Sequence, residues 1–219
     1  MKKLWLSLAA LLFSGAIASA QIVTASAYFN DVSTYYEGIS TYEVDITVNA
    51  AGRRMVGHAL FSRPQMVRID FSTPRGQTLL FDGSTLIIYL PNQETVLQQA
   101  ATTQEEQISA RGLTLMRRYY TVAFESGPTP VPLDEGSSTK VVNLILTRRA
   151  SSEAFSTIKL SIDANSKLIR RVEATTPQGK VYRFDFTNYS GINRAISDQR
   201  FIYDPPSSVN AYNNFLFQE

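Results

Sequence analysis

The sequence contains no cysteine, one histidine and, beyond its fifth position, no tryptophan. Without cysteine there is no disulfide framework, no thiolate nucleophile, no Cys-ligated zinc and no lipidated N-terminal cysteine. With His58 as the only histidine, a multi-histidine metal site is excluded, and any His-dependent catalytic triad would have to rest on that one residue. No apolar run reaches the roughly 20 residues that a membrane-spanning helix needs. Glycine-rich phosphate loops and clusters with metal-ligand spacing are missing as well, so neither a cofactor nor a metal is expected. What remains is a 219-residue chain that is 44% hydrophobic and 18% charged, the composition of a folded protein with a real core.

The first twenty residues read as a secretory signal. Lys2 and Lys3 precede the apolar stretch Leu4 to Phe13, and Ala18-Ser19-Ala20 supplies small residues for cleavage after Ala20. A single mature domain from Gln21 to Glu219 is expected. Losing two lysines from 21 basic residues leaves 19, equal to the 19 acidic ones, so bulk charge gives no support for nucleic-acid binding.

From Ser40 onward, short segments rich in Val, Ile, Tyr, Phe and Thr alternate with turn residues. Val44 and Ile46 alternate with Asp45 and Thr47. Val67, Ile69 and Phe71 alternate with Arg68 and Asp70. Ile158 and Leu160 flank Lys159, and Tyr182, Phe184 and Phe186 flank Arg183 and Asp185. Period-two patterns of this kind put one face against something apolar and the other in water. Parity therefore places these ten residues inward. Asp82-Gly83 between two apolar runs predicts a hairpin.

Two stretches break the strand rhythm. Tyr28, Phe29, Val32, Tyr35, Tyr36 and Ile39 form one apolar stripe at helical spacing, with Gly38 placed to help end the helix. A second helix is predicted from about Thr103 to Arg118, with Thr102 and Thr103 each three residues before a glutamate (Glu105, Glu106), and with Ile108, Leu115 and Met116 on one face. The fold class is mainly β with helices (α+β): one long curved antiparallel sheet of about ten strands with an N-terminal and an inserted helix. Such a sheet either curls into a barrel or leaves an apolar concavity that the helices lid; the stripes could equally be ordinary core packing.

The segment Ala59-Leu60-Phe61-Ser62-Arg63-Pro64-Gln65-Met66-Val67-Arg68-Ile69-Asp70-Phe71 resembles the strand, Arg-Pro, strand signature of the outer-membrane lipoprotein carrier (LolA) family. Asp82 to Pro91 is similar to that family's D-G-x-x-hydrophobic-Y-x-P hairpin. Phe184 to Asn188 and Asp198 to Pro206 resemble its closing strands. The resemblance implies an incomplete β-barrel whose apolar cavity is lidded by α-helices. It further implies a periplasmic carrier of acylated lipoproteins, loaded by an inner-membrane ABC lipoprotein-releasing transporter and unloaded onto an outer-membrane acceptor. The family's lid-latching arginine would be Arg63 here, bonding helix carbonyls. A monomer without catalytic residues is expected. Carriers of free lipids or glycolipids with the same fold, and envelope-stress sensor domains, are the alternatives. The aromatic tail Asn210 to Phe217 departs from the C-terminal strand of some carriers.

The remaining candidates are modest. His58 on a strand suggests a satisfied structural residue. The pairs Glu105-Glu106 and Asp134-Glu135 point away from acid-base work because adjacent helix residues diverge. The doublets Arg53-Arg54, Arg117-Arg118, Arg148-Arg149 and Arg170-Arg171 suggest solvated element ends or a docking patch.

Overall fold

The computed structural model describes residues 23–100 and 112–214. The signal segment with its cleavage site, the Thr102 to Glu106 capping residues and Ile108 lie outside the described residues, as does the side chain of Leu115. The chain opens with helix α1 (Ala25–Glu37), followed by strands β1 (Thr41–Ala50), β2 (Arg53–Ser62), β3 (Met66–Thr73), β4 (Thr78–Phe81), β5 (Thr85–Leu90) and β6 (Thr95–Ala100). Helix α2 (Gly112–Tyr119) leads into β7 (Tyr120–Phe124), β8 (Val131–Pro132), β9 (Lys140–Arg148), β10 (Thr157–Asp163), β11 (Ile169–Thr175), β12 (Val181–Ser190) and β13 (Asn210–Asn213).

All thirteen strands form one sheet, in the order β13-β6-β5-β4-β3-β2-β1-β12-β11-β10-β9-β7, with β8 also on β9. The path has two ends, so the sheet is an incomplete barrel rather than a closed one. Pairing is antiparallel except between β13 and β6, which run parallel. Two of the strands beyond the expected ten or so are β8, only two residues long, and β13, built from the aromatic tail.

Local chemistry explains the helix and turn boundaries. The Thr24 hydroxyl accepts from the Ala27 N–H at 3.1 Å and caps α1. At its other end the Gly38 N–H donates to the Thr34 and Tyr35 carbonyls. Gly38 has φ −80°, so the helix ends without left-handed glycine. In the β4–β5 turn only Gly83 takes a positive φ, of 100°. Asp82 contributes through its carboxylate instead, accepting from the Ser84 and Thr85 N–H groups at 2.8 Å each.

The register assembles a continuous inner face. Val122 lies opposite Leu146, which lies opposite Ile158, then Ala174, then Tyr182. One step along, Leu144, Leu160, Val172, Phe184 and Val48 are aligned in turn. The row continues from Ile46 through Gly57 to Phe71, and from Ala59 through Ile69 and Leu79 to Ile88 and Leu97. Phe29 and Val32 of α1 are fully buried against the β9–β11 part of this face, together with Leu144, Leu146, Ile158 and Leu160.

The outer face is covered differently. After β12 the chain crosses β2 to β5, burying Phe201 against Leu60 and Leu80, with Ile196 and Tyr203 beside them. Arg68 Nη1 donates to the Arg200 carbonyl at 2.9 Å and holds this crossing segment down.

Candidate functional site

Inner-face burial divides the sheet into two parts. Under α1, Ile158 is 4% exposed and Leu160 1%, so these side chains are packed core in this conformation. Across β3 to β6, Val67, Ile69, Leu79, Phe81, Leu86, Ile88 and Leu97 are each only half-buried. Val44, Ile46 and Phe71 are buried, and Tyr182, Phe184 and Phe186 half-buried, between these regions. All ten inward-assigned residues thus share one face. Five further apolar residues of β4 to β6 share that face, but they lie in continuous apolar runs (Leu79 to Phe81, Leu86 to Leu90, Val96-Leu97), so alternation does not single them out.

Pairing irregularities at Glu43/Asp45, Val56/Gly57 and Ser161/Ile162 leave this parity intact over the ten positions. Beyond Phe186 the parity changes: Asn188 adopts φ 53° and Tyr189 takes the next inward place, packing with Tyr42 and Val44. Gly57 is required by close approach. A Cβ there would sit 2.8 Å from the Asp70 carbonyl oxygen and 3.2 Å from the Phe71 ring.

Arg63 follows β2 directly and reaches the C-terminal end of α1. Its Nε donates to the Ile39 carbonyl at 2.6 Å and its Nη2 to the Tyr36 carbonyl at 2.8 Å. These carbonyls carry the negative end of the helix dipole, which a planar, permanently charged guanidinium fork suits. The Tyr36 hydroxyl accepts from the Ile169 N–H at 2.8 Å, and the Tyr189 hydroxyl donates to the Ile169 carbonyl at 2.8 Å. One end of α1 is therefore tied to β2 and β11 together. Near the middle of α1, Arg117 of α2 donates to Asn30 Oδ1 at 2.5 Å. Tyr28 packs on Phe124 and Tyr35 on Tyr36, while Met116 and Leu113 of α2 pack against the core beneath α1.

The phenols here are structural. Burial pushes Tyr36, Tyr42 and Tyr189 above the ordinary tyrosine pKa, so they stay neutral and act through hydrogen bonds and ring area. His58 sits on the outer face with Nδ1 2.8 Å from Asp45 and Nε2 3.0 Å from Glu43. Both ring nitrogens face carboxylates, which fits imidazolium, and the Asp45 bond followed by that to Glu43 raises its pKa against the cost of burial.

A family described as "outer membrane lipoprotein carrier protein LolA" matches residues 47–204, well over half of the chain. The chain belongs to the LolA family. Comparison with curated protein sequences finds no match. Among solved structures, this LolA-family chain is similar to an uncharacterized conserved protein from Thermus thermophilus, at 12% identity and TM-score 0.58, covering 86% of this chain and 98% of the other. It is also similar to a chain of the MucA/MucB complex of Pseudomonas aeruginosa, at 13% identity and TM-score 0.51, covering 82% of this chain. Here the match spans only 61% of the other chain's length. At these identities the likeness is one of fold.

Sequence reasoning missed the outer-face ion network. Arg171, read as a solvated strand end, is buried: it donates to Asp185 at 2.5 Å and to both Asp134 oxygens at 2.9 and 2.8 Å. Strand alternation already placed Asp185 on an outward position, but its pairing with Arg171 required knowing that β11 neighbours β12. Asp134 comes from the β8–β9 loop, which carries no sequence signal for that contact. Among the described residues no helix is long and apolar enough to cross a membrane, and no three metal-ligating side chains cluster.

Proposed function

We propose that this protein is a periplasmic binding protein for acyl chains, carrying lipoproteins from the inner to the outer membrane. The observation that supports it is the continuous apolar inner face, only half-buried across β3 to β6 and flanked by a helix whose end Arg63 ties down. An acyl chain laid along Val67, Ile69, Phe81, Ile88 and Leu97 gains about 0.8 kcal/mol per buried CH₂. A chain of about a dozen methylenes supplies on the order of 10 kcal/mol, which is set against the hydrogen bonds that hold α1 and the burial of Phe29 and Val32 beneath it.

In this reading α1 with Tyr28, Phe29, Val32, Tyr35 and Tyr36, and α2 with Met116, form the lid. Lifting α1 would add the face around Ile158 and Leu160 to the binding surface, alongside Val44, Ile46, Tyr182, Phe184 and Phe186. Arg63 opposes that opening, so cargo is held with an affinity reduced by the cost of breaking the latch, and release stays feasible. The signal sequence, cleaved after Ala20, delivers the protein to the periplasm. An inner-membrane ABC transporter and an outer-membrane acceptor are the corresponding donor and recipient. The reading is of a binding protein and not of an enzyme: the inner-face phenols are neutral and His58 is engaged on the outer side.

Native mass spectrometry of the protein purified from periplasm without detergent tests this. Adducts with the mass of acylated lipoprotein are expected. Exclusively phospholipid or glycolipid adducts would replace lipoprotein carriage with free-lipid carriage, and no acyl adduct even after incubation with purified lipoprotein would refute the reading.

A further inference from the structure

A second feature lies where the inner face meets the β7 edge. Ser26 of α1, Arg117 and Arg118 of α2, Tyr120 and Val122 of β7, and Arg149 just after β9 line a cavity of about 350 Å³. Cavities of roughly this size and upward hold small ligands. Three arginines line it, two from α2 and one from the segment after β9, and no carboxylate is among its lining residues.

The ordinary role of arginines at a helix C-terminus accounts for only part of this arrangement. Arg117 and Arg118 occupy the last turn of α2, where they complement its dipole. Arg149 belongs to another element, and its backbone N–H bonds the Tyr119 carbonyl at 2.8 Å, which fixes it beside the end of α2. Among the described residues the ion pairs use none of the three. Arg117 contacts the neutral Asn30 amide, and Arg118 lies 5.9 Å from the Tyr119 ring centroid. The nearby first turn of α1 holds no acidic residue either. Among the described residues no carboxylate lines this concavity or forms an ion pair with the three arginines, and the planar forks of arginine match phosphate oxygens best.

The floor of the cavity has the opposite character. Tyr120 and Val122 belong to the apolar cluster that also contains Phe29, Val32 and Leu146. The cavity thereby borders the part of the inner face that α1 covers, which lifting α1 would join to it. We infer that Arg117, Arg118 and Arg149 form a subsite for a phosphate-class anion, namely the phosphoryl headgroup of a lipid whose acyl chains enter the inner face. This rests on the acyl-chain reading above in its free-lipid form, since the acyl anchor of a lipoprotein carries no phosphate; free phosphate offers the same oxygens without the chains.

Titration calorimetry on the mature protein tests it with three probes: a short-chain phosphatidylglycerol, a diacylglycerol with the same chains, and inorganic phosphate. The phosphatidylglycerol is expected to bind about tenfold or more tightly than the neutral lipid at low salt, an advantage that falls steeply as salt rises. The R118Q/R149Q variant, altered at two exposed positions, is expected to lose that advantage and to bind the neutral lipid as the wild type does. Competition by inorganic phosphate would place the headgroup in this pocket. Equal affinity for the two lipids, or an equal loss of both in the variant, overturns the proposal while acyl-chain binding stands. Phosphate binding that the variant abolishes, with neither lipid bound, would keep the anion site and refute the acyl-chain reading.

Discussion

Arg63 Nη2 donates to the Tyr36 carbonyl at 2.8 Å, joining the end of β2 to the end of α1 across 27 positions of sequence. The same guanidinium also holds the Ile39 carbonyl through Nε at 2.6 Å, while the Tyr36 carbonyl accepts from the Ile39 N–H as well, so Arg63 adds bonds from outside the helix to two carbonyls at its end. The contact connects the concave sheet to the element that covers half of it.

Replacing Arg63 by Leu removes both donors. Hydrogen bonds to a charged group contribute about 1.5–3 kcal/mol, here reduced by partial solvent access. Amides of α1 are expected to exchange with deuterium about tenfold faster or more, while β9 and β10 stay protected. The variant is expected to bind cargo but not to pass it on in a transfer assay. Normal transfer at normal protein level would remove Arg63 from the latch role.

Phe29→Ala tests the other attachment of α1. Phe29 is fully buried against Leu144, Leu160 and their neighbours, and truncating a buried Phe costs about 3–5 kcal/mol. A drop in Tm of roughly ten degrees is expected by calorimetry. A drop of only a degree or two would mean that α1 contributes little to the fold.

Gly57→Ala should be costly although it adds a single methyl. The new Cβ meets a backbone oxygen at 2.8 Å, which cannot rotate away, so β2 and β3 must separate. A loss of about 2 kcal/mol is expected, or roughly 4–8 °C in Tm. An unchanged Tm would contradict the close approach.

His58 gives a pH signature with a defined sign. Its folded pKa is raised above 6.5 by Asp45 and Glu43, so its stabilisation is complete below pH 6.5 and fades as pH rises through the raised value. Glu43, lowered chiefly by Arg200, and Asp45, lowered chiefly by His58, stabilise above their ordinary values of 4.5 and 3.8 and lose that on acidification. The cluster is part-exposed, so the histidine contribution is about 1 kcal/mol or less. Urea titrations from pH 6 to 8.5 should show a small decline that H58Q lacks. An equal decline in H58Q would assign it to other groups.

Much of this architecture is legible in sequence because alternation and burial are the same fact seen twice. Val67, Ile69 and Phe71 had to point one way and Arg68 and Asp70 the other, whichever strands they paired with. Partners that depend on topology were not legible. The parallel seat of Asn210–Asn213 beside β6 follows from where the crossing segment emerges, after Phe201 is buried on the outer face. The distinction between packed core at Ile158 and Leu160 and half-exposed surface at Val67 and Ile69 was also hidden, since the four side chains are alike and only the position of α1 separates them. Gly38 does end the helix, with a right-handed φ of −80° and its N–H on the Thr34 and Tyr35 carbonyls, while Arg63 bonds the Tyr36 and Ile39 carbonyls.

The most direct test of acyl-chain binding on the inner face uses the neighbours Ile69 and Asp70, which one strand directs to opposite faces. Each would carry a photo-crosslinking side chain in turn, and the protein would be irradiated with a radiolabelled acylated lipoprotein. Labelling at position 69 with little at 70 is the result predicted. Equal labelling at both positions, or labelling at 70 alone, would contradict it.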